Sequence, residues 1–277
     1  MDWVGAEAAR GEWIRDRLQT PFANMHQFVP HGFEAYARIF HPLDRDRPVG
    51  DGSWRDVPEL EPIELDSEST TWTVLAEAFG RTMHPLAQFR QLVERRFQRL
   101  GEFGETLWTG PVIDADGWRY DEPHEGDLGI GTLATLARIL SAHTATPDVG
   151  VVAVWDGYNE IDVHAEGAGR FELPWRSYGI YASGIRTFIP HTWIMDAPWT
   201  KDTVFPRTPN IIWPEDHAWI VASEIDLDST VVGGSRALVD AIIASPDLEA
   251  FEIPEGADLT SLGDRINPRP SPPAPSA

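Results

Sequence analysis

The run Val149-Gly150-Val151-Val152-Ala153-Val154-Trp155 constrains the fold more than any other segment. It holds no polar side chain, so as a strand it cannot turn one face to water. It is therefore expected at the centre of a sheet. A second strand is read over Ala218 to Leu227, where the pattern alternates. Trp219, Val221, Ser223, Ile225 and Leu227 share one face, and Ile220, Ala222, Glu224, Asp226 and Asp228 share the other. Shorter strands are expected over Phe33 to Phe40, Tyr178 to Ala182 and Asn210 to Trp213.

Helices follow from a period of 3.6. Trp72, Leu75, Ala76 and Phe79 form one stripe, stopped by Gly80. Pro85 suits a first turn, and Leu86, Phe89, Val93, Phe97 and Leu100 extend a second stripe to Gly101. A third helix opens near Asp127 with Leu133, Leu136, Ala137 and Leu140 inward, and ends before Pro147. A fourth starts on Ser235 as N-cap, buries Leu238, Val239, Ile242 and Ile243, and closes at Pro246. A weaker one lies around residues 6–18. Residues 41–66 and 156–210 are rich in Pro, Gly, Asp and Trp and read as long ordered loops and short hairpins. This order predicts an α+β fold with a mixed or antiparallel sheet and helices packed on one side. One domain is expected over 1–266. The Pro-rich end, 267–277, is expected to be a disordered tail.

Composition narrows the function. The chain has 277 residues, 44 acidic against 22 basic side chains, a net charge of −22, no cysteine and 12 tryptophans. Without cysteine there is no disulfide framework, Cys-ligated metal or thiol nucleophile. No apolar run approaches the roughly 20 residues that span a bilayer, so no membrane insertion is expected. The start, Met1-Asp2-Trp3-Val4, has neither the basic nor the apolar region of a secretory signal, which points to the cytoplasm. Acidic residues exceed basic ones in both halves. Nucleic acid is a poor partner for such a chain, because phosphate contacts need clustered Lys and Arg. An acidic surface suits a basic protein partner, or simply keeps the chain in solution.

No phosphate-binding glycine loop, nucleophile elbow, H-E-x-x-H or EF-hand pattern is present. No cofactor is evident. The candidate sites are therefore residue groups. Glu224, Asp226 and Asp228 on one strand face would stand about 7 Å apart, at roughly 3.3 Å per residue. With His217 of Glu215-Asp216-His217 they offer ligands for a divalent cation such as Mg²⁺ or Ca²⁺, or a general base; alternatively they are a solvated strand end. Arg38, on a mostly apolar strand, needs either an anionic ligand or an internal carboxylate. Trp175 and Trp199 each follow a proline, and Trp193 sits nearby. On loops they would stack against a partner, or else plug the core. No two of the nine histidines share a helix at metal-ligand spacing.

Three segments carry a resemblance. They are Val29-Pro30-His31-Gly32-Phe33-Glu34-Ala35-Tyr36-Ala37-Arg38-Ile39-Phe40-His41-Pro42, then His143-Thr144-Ala145-Thr146-Pro147-Asp148 with Trp155-Asp156-Gly157-Tyr158, and Trp213-Pro214-Glu215-Asp216-His217-Ala218-Trp219 running on to Val232-Gly233-Gly234-Ser235. Together they resemble a family of uncharacterised actinobacterial proteins with no assigned activity, over most of residues 10–255. The strand–turn–strand–Gly-Gly-Ser–helix at the C-terminal end is also similar in topology to Smi1/Knr4-type immunity proteins. The first expectation is thus an acidic binding or interaction protein with a Trp-lined surface, immunity-like in the sense of that likeness. The alternative is a metal-assisted hydrolase using the carboxylate/His cluster.

Overall fold

Strand β9 (Gly150–Trp155) realises the expectation from the apolar run: Val151 to Val154 are fully buried, with a neighbour strand on each edge. The computed structural model describes residues 4–18, 24–50, 54, 64–93, 96–100, 105–109, 111–158, 169–200 and 206–268. The strands before β9 are β1 (Val4–Gly5), β2 (Ala35–Phe40), β3 (Leu43–Pro48), β4 (Leu65–Thr70), β5 (Arg96–Leu100), β6 (Glu105–Thr109), β7 (Val112–Ile113) and β8 (Arg119–Tyr120). Those after it are β10 (Gly169–Leu173), β11 (Arg176–Ala182), β12 (Ile211–Pro214), β13 (Ile220–Ser223), β14 (Ser229–Gly234) and β15 (Ala250–Ile253). The α-helices are α1 (Glu12–Arg15), α2 (Trp72–Ala78), α3 (Phe89–Leu92), α4 (Ile130–Ser141) and α5 (Arg236–Ile243). The fold is mixed α+β, and its sheets are antiparallel.

Where one domain was expected, the chain divides into two compact units. The first comprises 1–41 and 124–259, and the second 42–123 and 260–277. In the first unit, nine of the described strands form one sheet in the order β1, β11, β9, β12, β13, β14, β2, β15, with β10 also pairing with β11. Alternate residues of this sheet, among them Ala37, Ile39, Val152, Val154, Val221 and Val232, share a core with Leu133, Leu136 and Leu140 of α4 and Leu238 and Ile242 of α5. Helix α5 is fixed at its start by the Ser235 side chain, which accepts from the Leu238 N–H and is worth about 1 kcal/mol. Trp213 lies on the other set of alternate residues. There it meets Trp13 of α1 edge-on, with ring centroids 6.4 Å apart. Helices α4 and α5 thus share a core with one set of alternate residues, while α1 meets a residue of the other. Gly150 permits close pairing with β12: a Cβ there would sit 2.5 Å from the Trp213 carbonyl oxygen.

In the second unit β4, β3, β8 and β7 form a four-stranded sheet, and β5 with β6 form a separate hairpin. Helix α2 follows the expected stripe and is capped by Thr71, whose side chain accepts from the Val74 N–H. The long helix expected from Pro85 to Leu100 is not formed. Only Phe89–Leu92 is helical, the backbone is extended at Val93, and 96–100 pairs as a strand with 105–109. The helical period was present there, but β-favouring Thr106, Trp108 and Thr109 just downstream offer the backbone a ladder partner, and hairpin pairing overrides the helical periodicity. At the other end, ordered chain continues past the expected start of the tail. Asn267 is buried; its side chain donates to the Thr82 carbonyl and to Asp264, each at 2.9 Å, and accepts from the Thr82 N–H at 2.9 Å. Residues 269–277 lie outside the described residues.

Candidate functional site

Strand β13 ends at Ser223, four residues before the alternation in the sequence does. Its last N–H is taken by the Asn210 carbonyl at 2.7 Å, and the Leu227 N–H then closes a turn onto the Glu224 carbonyl at 3.0 Å. Gly126, at φ +70, packs directly on this turn: a Cβ there would lie 2.7 Å from Ile225 Cα. The turn leaves two of the carboxylates expected on one strand face together and gives the third a different partner. Glu224 and Asp226 both accept from Arg176, at 2.9 and 2.8 Å. Asp228 instead accepts from Arg38 at 3.3 Å. His217, before the start of β13, lies beyond the other end of that strand and stacks on Trp13 with centroids 4.4 Å apart. The four expected cation ligands are thus not brought together. The repulsion between Glu224 and Asp226 is answered by a guanidinium, and a hard cation would have to displace it.

Arg176 owes its place to a two-residue hairpin. Leu173 and Arg176 are register partners, so Pro174 and Trp175 form the turn between β10 and β11. Proline pre-sets the first turn position and leaves Trp175 at the tip. Trp175 is 54% exposed, and Asp226 beside Arg176 has 74% of its side chain in solvent. Glu224 is mostly buried, which pushes its carboxyl above the usual range, while Arg176 opposes that rise. Phe28, Leu173, Trp175, Arg176, Tyr178 and Glu224 line a small cleft at this point. Tyr178 is buried there, and burial pushes its hydroxyl far up.

The other residues singled out in the sequence are internal. Arg38 is fully buried, bonds Ser229 Oγ at 2.8 Å, and lies 4.3 Å from the Phe40 ring centroid. It forms the internal ion pair, not a ligand anchor. Trp193 and Trp199 are fully buried and pack with Phe188 and Tyr181; the Trp199 indole N–H donates to the Arg207 carbonyl at 3.0 Å. They plug the core rather than line a surface. Of the expected binding residues, Trp175 is the exposed one; it lines the same cleft as Glu224 and precedes Arg176, which bonds Asp226.

Two groups were not legible in the sequence. One is a buried polar chain. The Ser223 and Thr230 hydroxyls bond at 2.6 Å, Thr230 bonds His41 Nε2 at 2.9 Å, and His41 Nδ1 reaches the His124 carbonyl. Burial pushes the His41 ring down to about 4, against the raising effect of that carbonyl. Asn210 closes the neighbouring gap: it accepts from the Trp155 N–H at 2.8 Å and donates to the Tyr158 hydroxyl at 3.1 Å. These groups satisfy one another inside the protein, so the arrangement holds the sheet end together. The other group is His26, His31 and Glu255, one donor atom from each lying within 4.8 Å of the others. Glu255 is 224 positions from His31, so no spacing rule would have paired them.

No protein-family model, curated protein or solved structure matches the chain. Among the described residues, no helix is long and apolar enough to cross a membrane.

Proposed function

We propose that this protein works by binding another protein, and that the Pro174-Trp175 turn with the Glu224–Arg176–Asp226 cluster is the contact surface. The observation that carries this reading is a half-exposed tryptophan on a two-residue turn, held by five register pairs between β10 and β11. A rigid aromatic anchor loses little entropy on docking and supplies most of the energy of many interfaces. The net charge of −22 and the exposed Asp226 favour a basic partner, with charge acting mainly on association rate. An immunity-like role, holding a basic target in complex, is one form of this function. The metal-assisted hydrolase reading is weaker, because Glu224 and Asp226 are engaged by Arg176 and His217 is remote from them.

The test starts with proteins recovered on the wild-type chain from its native lysate, each then purified and titrated singly. Trp175→Ala should weaken a genuine complex by roughly 30-fold or more, the effect of a central hot spot of about 2 kcal/mol. Asp226→Asn should lower the association rate and flatten its salt dependence. Partners that bind both variants as they bind wild type would place the interface elsewhere and remove the reading.

A further inference from the structure

Three residues of the first unit, away from the Trp175 turn, carry a different chemistry. Asn24 caps a short turn, its side chain accepting from the His26 N–H at 2.8 Å, and the Met25 N–H donates to the Ala257 carbonyl at 2.9 Å. That bond ties the loop before β2 to the loop after β15, which pairs alongside β2. His26 and Glu255 are thereby brought together. Tyr36 of β2 underlies them. Its hydroxyl donates to the Pro30 carbonyl at 3.0 Å, and its ring meets His26 edge-on with centroids 5.8 Å apart. Gly32, at φ +95, turns the chain directly after His31.

We infer that His26, His31 and Glu255 form a binding site for a divalent transition-metal ion of the zinc class. His26 is 1% exposed, and its Nδ1 lies 2.9 Å from the Val29 carbonyl. That bond makes Nδ1 the protonated nitrogen and leaves the lone pair on Nε2, the arrangement by which proteins orient metal-ligating histidines. Nε2 is buried, has no hydrogen-bond partner, and faces Glu255 Oε1 at 3.8 Å. His31 Nδ1 is 3.3 Å from the same oxygen. The two rings are stacked, with centroids 3.4 Å apart, which sets a nitrogen of each beside one carboxylate. Bonds of about 2.0–2.1 Å in a tetrahedron put ligand atoms roughly 3.3 Å apart, so the donors, within 4.8 Å of one another, have to close in, and the two rings have to turn out of their stack to aim both lone pairs at one ion. An internal ion pair between His31 and Glu255 would account for the carboxylate and for His31 Nδ1, though not for the buried His31 Nε2, which has no hydrogen-bond partner. It would leave the buried Nε2 of His26 unsatisfied, which a cation repairs.

The donor set selects the ion. Two imidazole nitrogens with one carboxylate suit Zn²⁺, Co²⁺, Ni²⁺ or Cu²⁺, whereas Mg²⁺ and Ca²⁺ prefer oxygen alone. The side chains of His31 and Glu255 are 34% and 52% exposed, which opens the site to solvent and allows water as a fourth ligand. This differs in both residues and metal class from the hard-cation site expected at Glu224, Asp226 and Asp228.

The experiment uses the full chain, stripped with a chelator and titrated with Zn²⁺ by calorimetry, and with Co²⁺ by visible absorption. One ion per chain and the d–d bands of low-coordinate Co²⁺ are expected. His26→Asn retains a donor toward Val29 but removes the ligating nitrogen, and Glu255→Gln replaces an exposed carboxylate. Each should weaken Zn²⁺ binding by at least about 100-fold, more than loss of a group that merely orients a ligand. Glu224→Gln with Asp226→Asn should leave it unaltered. Circular dichroism and the melting temperature of the metal-free variants establish folding, and Glu255→Gln carries the decision if His26→Asn does not fold. Absence of stoichiometric Zn²⁺ binding, or binding that Glu255→Gln leaves intact, overturns the assignment.

Discussion

His41 gives the most quantitative handle on the interior. Its ring is fully buried, held between the His124 carbonyl and the Thr230 hydroxyl, and burial depresses it to about 4 from an ordinary 6.5. A base that resists protonation in the folded state stabilises that state when neutral. The stabilisation is complete above pH 6.5 and is lost as the pH falls toward about 4, because the unfolded chain takes up the proton first. At 1.36 kcal/mol per pH unit, the gap corresponds to about 3 kcal/mol. The perturbation is His41→Gln, which cannot titrate and retains an acceptor for Thr230. Urea unfolding of both proteins from pH 7.5 to 4 separates this residue from the many acids, which titrate in both. Acidification should lower wild-type stability relative to the variant by about 3 kcal/mol, whatever the offset at pH 7.5. Ring-nitrogen NMR should show the Nδ1–H tautomer persisting below pH 5. A difference that stays constant across this range, or a ring that titrates near 6.5, would refute the argument that burial dominates.

Two further substitutions probe packing. Trp219 is fully buried among α4, α5 and the sheet, and its indole N–H donates to the Leu140 carbonyl at 3.2 Å; Trp219→Ala should cost about 3–5 kcal/mol in denaturant unfolding. Asn267→Ala removes three side-chain hydrogen bonds to Thr82 and Asp264 and should cost about 1–3 kcal/mol, read as earlier melting of the second unit; an unchanged transition would mean that the Asn267 contacts are not made in solution.

Periodicity reports which side of an element is buried, and it served well where that is the question. The stripes at 72–79 and 133–140, the Ser235 cap and the apolar run at 150–155 all correspond to elements of the structure. It failed at 85–100 because a hairpin partner downstream cannot be seen in a helical stripe. It overextended β13 because Ile225 and Leu227 continue the alternation while the chain already turns toward β14. The same limit governs the sites. Trp175 and Trp199 both follow a proline, yet only Trp175 is exposed, a difference the sequence left open, and nothing local tied Arg176 to Glu224, 48 positions away. His26, His31 and Glu255 meet only because β15 returns beside β2, a fact of topology rather than of pattern.

That topology also bears on how the chain is made. All six residues of β2 are buried, yet both of its sheet neighbours, β14 and β15, are encoded about 190 or more positions later. At the 5–20 residues per second of synthesis, a ribosome needs roughly 10–40 s to travel from one to the other. For that interval Tyr36, Ile39 and Phe40 belong to a strand without a ladder. The first unit can therefore close only after the segment encoding β15 has emerged, and its nascent chain is the stage at which a chaperone would have most to shield.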